Sequence, residues 1–69
     1  MQIGSRIKAA RKAKGITQEA LARELGVAVM TVSRWERDDA KPPLVRLQDL
    51  ADALDITVRD LLTDSEAVA

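Results

Sequence analysis

Hydrophobic positions recur every three or four residues along most of this 69-residue chain. This is the spacing of helices that bury one face. It predicts five helices, over residues 3–14, 18–25, 29–37, about 43–54 and 58–62. No run alternates apolar and polar residues between turn signals as a strand does. The sequence therefore predicts an all-α domain over residues 1–63, with residues 64–69 as a flexible C-terminal tail.

The stretch 17–37 carries the sharpest helix boundaries. Thr17 is a good N-cap for the second helix, and Gly26 suits the left-handed backbone that follows it. On the third helix, Val32 and Trp35 fall on one side, opposite Met30, Ser33, Arg34 and Arg37, and Val29 lies between the two faces. This pattern predicts two short helices joined by a tight turn, the second of which presents polar residues outward. Such a helix is suited to lie in the major groove of DNA.

The inward-facing positions of these helices define a small predicted core. Its fourth-helix members are Leu44, Leu47, Leu50, Ala51 and Leu54. Trp35 is the single aromatic residue, and we interpret it as core filling. Base stacking is the weaker interpretation, because stacking surfaces gather several exposed aromatic side chains.

The amino-acid composition argues against several classes of function. The chain has no cysteine and no histidine, so disulfides and thiolate metal sites are excluded, and the commonest metal ligand and general base is missing. The serines lack an evident base partner, which makes an enzyme the weakest interpretation. No cofactor is expected. No apolar run approaches the ~20 residues of a membrane span, and no signal peptide is evident, so we expect a soluble, cytoplasmic protein.

The charges are unevenly distributed although the net charge is zero. Residues 1–47 carry ten Lys and Arg against five Asp and Glu, a net +5, and residues 48–69 carry −5. One end of the chain could therefore face phosphate. The cations Arg11, Lys12 and Lys14 near the end of the first helix fit either helix capping or phosphate contact. Arg11 lies at the rim of the apolar stripe and needs a carboxylate partner if it is buried.

One long string of residues resembles a known family. From Gly15 to Arg37 the chain reads G-I-T-Q-E-x-L-A-x-x-L-G-V-x-x-x-T-V-S-R-W-E-R, similar to the helix-turn-helix of the phage repressor and Cro family, also called the xenobiotic-response-element type. The similarity continues through Pro43–Leu54 and Ile56–Leu62. It implies a compact five-helix bundle of the lambda-repressor-like kind, which generally binds operator DNA as a symmetric dimer.

The resemblance also implies roles for individual residues. It makes the third helix the recognition helix, with base contacts from Val29, Met30, Ser33 and Arg34. It places Gln18 at a phosphate, with Arg37 and Lys41 as further phosphate candidates. It implies a partly buried ion pair between Arg11 and Glu36, which would supply the partner that Arg11 needs.

The chemistry of the recognition positions refines these roles. Arg34 can donate two hydrogen bonds to guanine O6 and N7, worth roughly 1–3 kcal/mol of discrimination. Val29 and Met30 can offer only apolar contact, most usefully to a thymine methyl group. This unusual pair is compatible with a thymine-rich site, with weak specificity, or with recognition of DNA shape.

Asp38 and Asp39 depart from the family pattern, which usually has a glycine and basic residues after the recognition helix. Two carboxylates there would repel phosphate, and Asp tolerates left-handed geometry less well than Gly. The favoured hypothesis is a sequence-specific DNA-binding transcriptional regulator, a repressor, on a pseudo-palindromic operator. The alternative is a protein-interaction module, such as an antitoxin or adaptor, with weak or lost DNA binding.

Homodimer formation is a separate expectation. It rests on the family and on a group of apolar residues near the end of the domain: Ile56, Val58, Leu61 and Leu62. These residues could equally be part of the core, and the sequence leaves both interpretations open.

Overall fold

The computed structural model describes residues 3–62 as five α-helices. They are α1 (Ile3–Lys14), α2 (Gln18–Leu25), α3 (Val29–Glu36), α4 (Leu44–Leu54) and α5 (Val58–Leu62). The predicted all-α, five-helix architecture is confirmed, with boundaries within about one residue of those expected. The predicted tail lies outside the described residues. Among the helices within 3–62, none has the length and apolar character to cross a membrane.

Local interactions define both ends of α2 and the start of α5. Thr17 Oγ1 accepts from the Ala20 amide at 3.0 Å, which begins α2. Gly26, with φ of 71°, ends it in the left-handed conformation. Thr57 and Asp60 exchange side-chain and backbone hydrogen bonds of 3.0 and 3.2 Å at the start of α5. This is a capping box, with Asp in place of the usual Glu.

All five helices contribute to one core. Its fully buried large side chains come from each helix in turn: Ile7, Leu21, Val32, Leu50 and Leu61. Trp35 is also buried, in agreement with its interpretation as core filling. Because α3 buries Val32 and Trp35, its orientation is fixed by the core, and its opposite side is presented outward.

Leu44 was expected in the core, and that expectation is wrong. Its side chain is 84% exposed, and the neighbouring Val45 is 80% exposed. Leu44 is the first residue of α4, so it lies at the end of the helix, beyond the buried stripe that begins with Leu47. It lines a shallow depression of about 250 Å³ together with Ile3 and Leu62.

Two basic side chains cap helices other than their own. Lys14 Nζ donates to Ala53 O at 2.6 Å and lies 3.2 Å from Asp55 Oδ2, at the end of α4. Arg46 Nη1 donates to Leu25 O at 2.9 Å, at the end of α2. Cations suit the negative end of a helix. For Lys14, therefore, the structure favours capping over phosphate contact.

Candidate nucleic-acid interface

The outward face of α3 carries the side chains expected to meet bases. Met30 is 54% exposed and Val29 is 41% exposed. Arg34 is exposed and Ser33 is half-buried. At helical spacing Met30, Ser33 and Arg34 lie on the side opposite Val32 and Trp35, and Val29 lies between the two sides. The structure thus brings the four residues together on one outward surface, which we call the α3 face. Their contact with bases stays a prediction.

A buried ion pair fixes the last turn of α3 against α1. Arg11 Nε lies 2.6 Å from Glu36 Oε2, and Arg11 Nη2 donates to Glu36 Oε1 at 3.1 Å. The two side chains are only 10% and 2% exposed. Arg11 Nη1 also donates to Ile16 O at 2.9 Å, just before α2. The pair implied by the resemblance is therefore present, and it holds the two helices and their connection in one arrangement.

Gln18 joins the same network from the first residue of α2. Its Nε2 donates to Glu36 Oε1 at 3.0 Å, and a side-chain amide nitrogen has a second hydrogen to donate. The first backbone hydrogen bond at this end of α2 runs from Leu21 N to Thr17 O, so the Gln18 and Glu19 amides have no acceptor within the helix and point along its axis. These donors lie at the positive end of the helix, which favours an anion. The phosphate contact itself stays a prediction.

The loop after α3 packs against the beginning of α1. Asp38 has φ of 61°, and its Oδ1 accepts from the Gly4 amide at 3.0 Å. A Cβ added to Gly4 would lie 2.4 Å from Trp35 O and 2.7 Å from Glu36 O. The start of α1 can therefore approach the end of α3 only because residue 4 has no side chain. Sequence reasoning missed this contact, although a glycine inside a helical pattern is a recognised signal of close packing.

The two remaining phosphate candidates flank this loop. Arg37 and Lys41 are both exposed. Arg37 Nε lies 3.1 Å from Asp39 Oδ2, in a pair whose side chains are 59% and 58% exposed. Both cations belong to the segment that follows the C-terminal end of α3. Their contact with phosphate stays a prediction.

The four apolar residues considered for a dimer interface, Ile56, Val58, Leu61 and Leu62, differ in their burial. Leu61 is fully buried, and Ile56 and Val58 are partly buried against the core. Leu62 is 40% exposed. Leu61 is thus a core residue, whereas Leu62 lies on the surface beside Leu44.

Residues 7–61 match the family model described as Helix-turn-helix. The chain is 43% identical over 58 residues to YazB of Bacillus subtilis, named an uncharacterised HTH-type transcriptional regulator, with 84% of each protein covered. The P22 c2 repressor, solved in complex with a synthetic operator, is similar with a TM-score of 0.84 and 36% identity, over 91% of this chain and 96% of that one. A SinR chain solved in complex with the SinI protein is similar with a TM-score of 0.82 and 35% identity, over 97% and 66%.

Several curated relatives are longer than this chain. The chain spans between 33% and 59% of the length of four of them. The matched part is in each case long enough to include most of the five helices described above.

Proposed function

Since this chain belongs to the helix-turn-helix family of the phage repressor and Cro type, we propose that it regulates transcription by binding specific double-stranded DNA. The observation that carries this proposal is the α3 face, an outward surface on a helix whose other side is anchored in the core. YazB is named a transcriptional regulator, and the P22 c2 repressor was solved on an operator. We further propose that this chain acts as a repressor in the cytoplasm, without catalysis or a cofactor.

Base recognition is assigned to the α3 face. Arg34 is exposed, and its planar guanidinium can donate a pair of hydrogen bonds to guanine O6 and N7. Val29 and Met30 are exposed apolar side chains that can pack on a thymine methyl group. Ser33 is half-buried and reaches the groove only where the DNA approaches closely. Together these side chains favour a half-site in which a guanine stands near thymine.

Phosphate contacts hold the recognition helix in register with the groove. Gln18 lies at the start of α2, where backbone amides and the helix dipole favour an anion. Arg37 and Lys41 follow the C-terminal end of α3 and are assigned as two further phosphate contacts. These contacts set affinity and its salt dependence, whereas the bases set the preference for sequence.

We propose that two copies bind a pseudo-palindromic operator whose half-sites are about one helical turn apart. Leu44, Val45 and Leu62 are exposed and apolar, and they supply a surface for the second copy. Sedimentation with and without operator tests this part of the proposal. A monomer that persists on the operator would reject the dimer.

Selection of bound duplexes from random DNA, at two salt concentrations, tests recognition directly. We expect enrichment of one half-site containing a guanine. Arg34→Ala should lose preference at that guanine by roughly 1–3 kcal/mol and keep it elsewhere. Arg59→Ala is the matched control, because Arg59 is exposed on α5 and outside the α3 face. An Arg34→Ala variant with unchanged site preference would contradict the assignment of Arg34.

A second candidate function is a protein-interaction module. The similar SinR chain was solved in complex with a protein, and in this chain Arg37 is already paired with Asp39. A co-purifying protein together with no mobility shift on DNA at low salt would decide for this alternative.

A further inference from the structure

Asp38 and Asp39 are adjacent in sequence but have different surroundings. The Asp38 carboxylate accepts from the Gly4 amide at 3.0 Å, at the start of α1, where backbone N–H groups lack helical partners. The Asp39 carboxylate lies 3.1 Å from Arg37 Nε instead. The first acid therefore stabilises the fold, and the second is paired with a cation assigned above to phosphate.

Backbone hydrogen bonds keep Asp39 beside the end of α3. Its amide donates to Arg34 O at 2.9 Å, and the Ala40 amide donates to the same oxygen at 3.4 Å. The Asp38 amide donates to Trp35 O at 3.2 Å. The loop is thus folded back onto the last turn of α3, and the position of the Asp39 carboxylate does not depend on its contact with Arg37 alone.

We propose that Asp39 lowers the DNA affinity of this protein by competing with phosphate for Arg37, and that Asp38 has no part in this competition. The inference rests on the proposed DNA binding. A carboxylate and a phosphate oxygen offer the same acceptor chemistry to a guanidinium. The side chains of the Arg37–Asp39 pair are more than half exposed, so the pair is weak and Arg37 can leave Asp39 for a phosphate. Because the ion pair is lost when this happens, the net free energy gained from the phosphate contact is smaller.

As a consequence, Asp39 should reduce the affinity of the protein for every DNA sequence by a similar factor. Arg37 lies after the recognition helix and is assigned to the backbone, which carries no direct sequence information. Asp39 therefore reduces occupancy of unrelated DNA without changing the preference that the α3 face supplies.

Two isosteric substitutions at adjacent positions, Asp39→Asn and Asp38→Asn, test this inference. Fluorescence anisotropy with a selected duplex and a shuffled duplex gives the binding constant of each variant over a salt series. For Asp39→Asn we expect tighter binding to both duplexes and a salt slope steeper by about 0.9, the value for one added phosphate contact. The ratio of its binding constant to that of wild type should then grow about 3.5-fold between 200 and 50 mM salt.

Asp38→Asn is the matched control, since it removes the same charge one residue away and keeps a side-chain oxygen for the Gly4 amide. We expect its binding constant to change less than about twofold, with an unchanged slope. Thermal melts verify that both variants are folded. Equal increases for the two variants would show a general effect of net charge and would overturn the inference.

A second test uses the Arg37→Gln variant, which lacks the guanidinium through which Asp39 is proposed to act. If Asp39 acts through Arg37, then Asp39→Asn should not steepen the slope further in the Arg37→Gln background. A full effect in that background overturns the inference. If wild type binds DNA and Asp39→Asn binds identically, this inference alone fails. If neither protein binds any duplex at low salt, the proposed function fails as well.

Discussion

Replacing Glu36 with glutamine is the sharpest test of how the recognition helix is held. The two Glu36 oxygens accept three hydrogen bonds, two from Arg11 and one from Gln18, with lengths of 2.6 to 3.1 Å. Glu36→Gln keeps the shape of the side chain but replaces one acceptor oxygen with an NH₂ donor. That donor must face another donor, and the Arg11 charge loses its counter-charge.

The expected cost is large compared with the stability of the domain. The Arg11 side chain is 10% exposed, so water cannot replace the lost carboxylate, and breaking a buried pair in this way typically costs about 3–5 kcal/mol. A chain of 69 residues has a free energy of unfolding of about 3–10 kcal/mol at ordinary values per residue. Glu36→Gln should therefore remove much of the stability, or all of it.

Urea denaturation followed by far-ultraviolet circular dichroism measures this change. Glu24→Gln is the matched control, because Glu24 is exposed on α2, and it should change the free energy of unfolding by less than about 0.5 kcal/mol. The double variant Arg11→Met with Glu36→Met should recover most of the loss, since well-packed apolar residues can replace a buried pair at little cost. A loss below about 1 kcal/mol for Glu36→Gln, or a double variant less stable than the single one, would refute the reasoning.

Three further substitutions, two of them with a comparison variant, test the local structure, each by the free energy of unfolding in urea. Gly4→Ala should cost about 1–3 kcal/mol, because its Cβ would lie 2.4 Å from Trp35 O and the helices must separate; an unchanged stability would show that α1 and α3 are not so closely packed. Asp38→Gly should be destabilising by about 1 kcal/mol despite its positive φ, since the hydrogen bond to the Gly4 amide is lost. By contrast, Asp55→Gly, also at positive φ, should cost less, and equal losses would contradict a capping role for Asp38. Thr17→Ala should cost about 1 kcal/mol through loss of the N-cap, whereas Thr17→Ser should retain most of the stability.

Much of the fold was predictable because its signals are local. Thr17 and Gly26 act within one helical turn of the ends that they define, and hydrophobic spacing identifies the buried face of each helix. The same spacing predicts that Met30 and Arg34 lie on the outward side of α3, where the structure has them. The buried ion pair between Arg11 and Glu36 was available only through the family resemblance, since its partners are 25 residues apart.

Other features depended on how the helices meet. Leu44 has the spacing of a core residue, yet it is exposed, because periodicity specifies a side of the helix and not whether a neighbour covers that end of it. From the sequence, the two acids after α3 predict repulsion of phosphate and a less favourable left-handed turn. In the structure Asp38 instead holds the start of α1, 34 positions away in sequence, and only Asp39 remains beside Arg37. Local sequence thus determined the helices and the face that α3 turns outward. Tertiary packing alone decided which charged side chains stabilise the fold and which are left exposed, because the partners of the buried ones are distant in sequence and meet only when the helices pack.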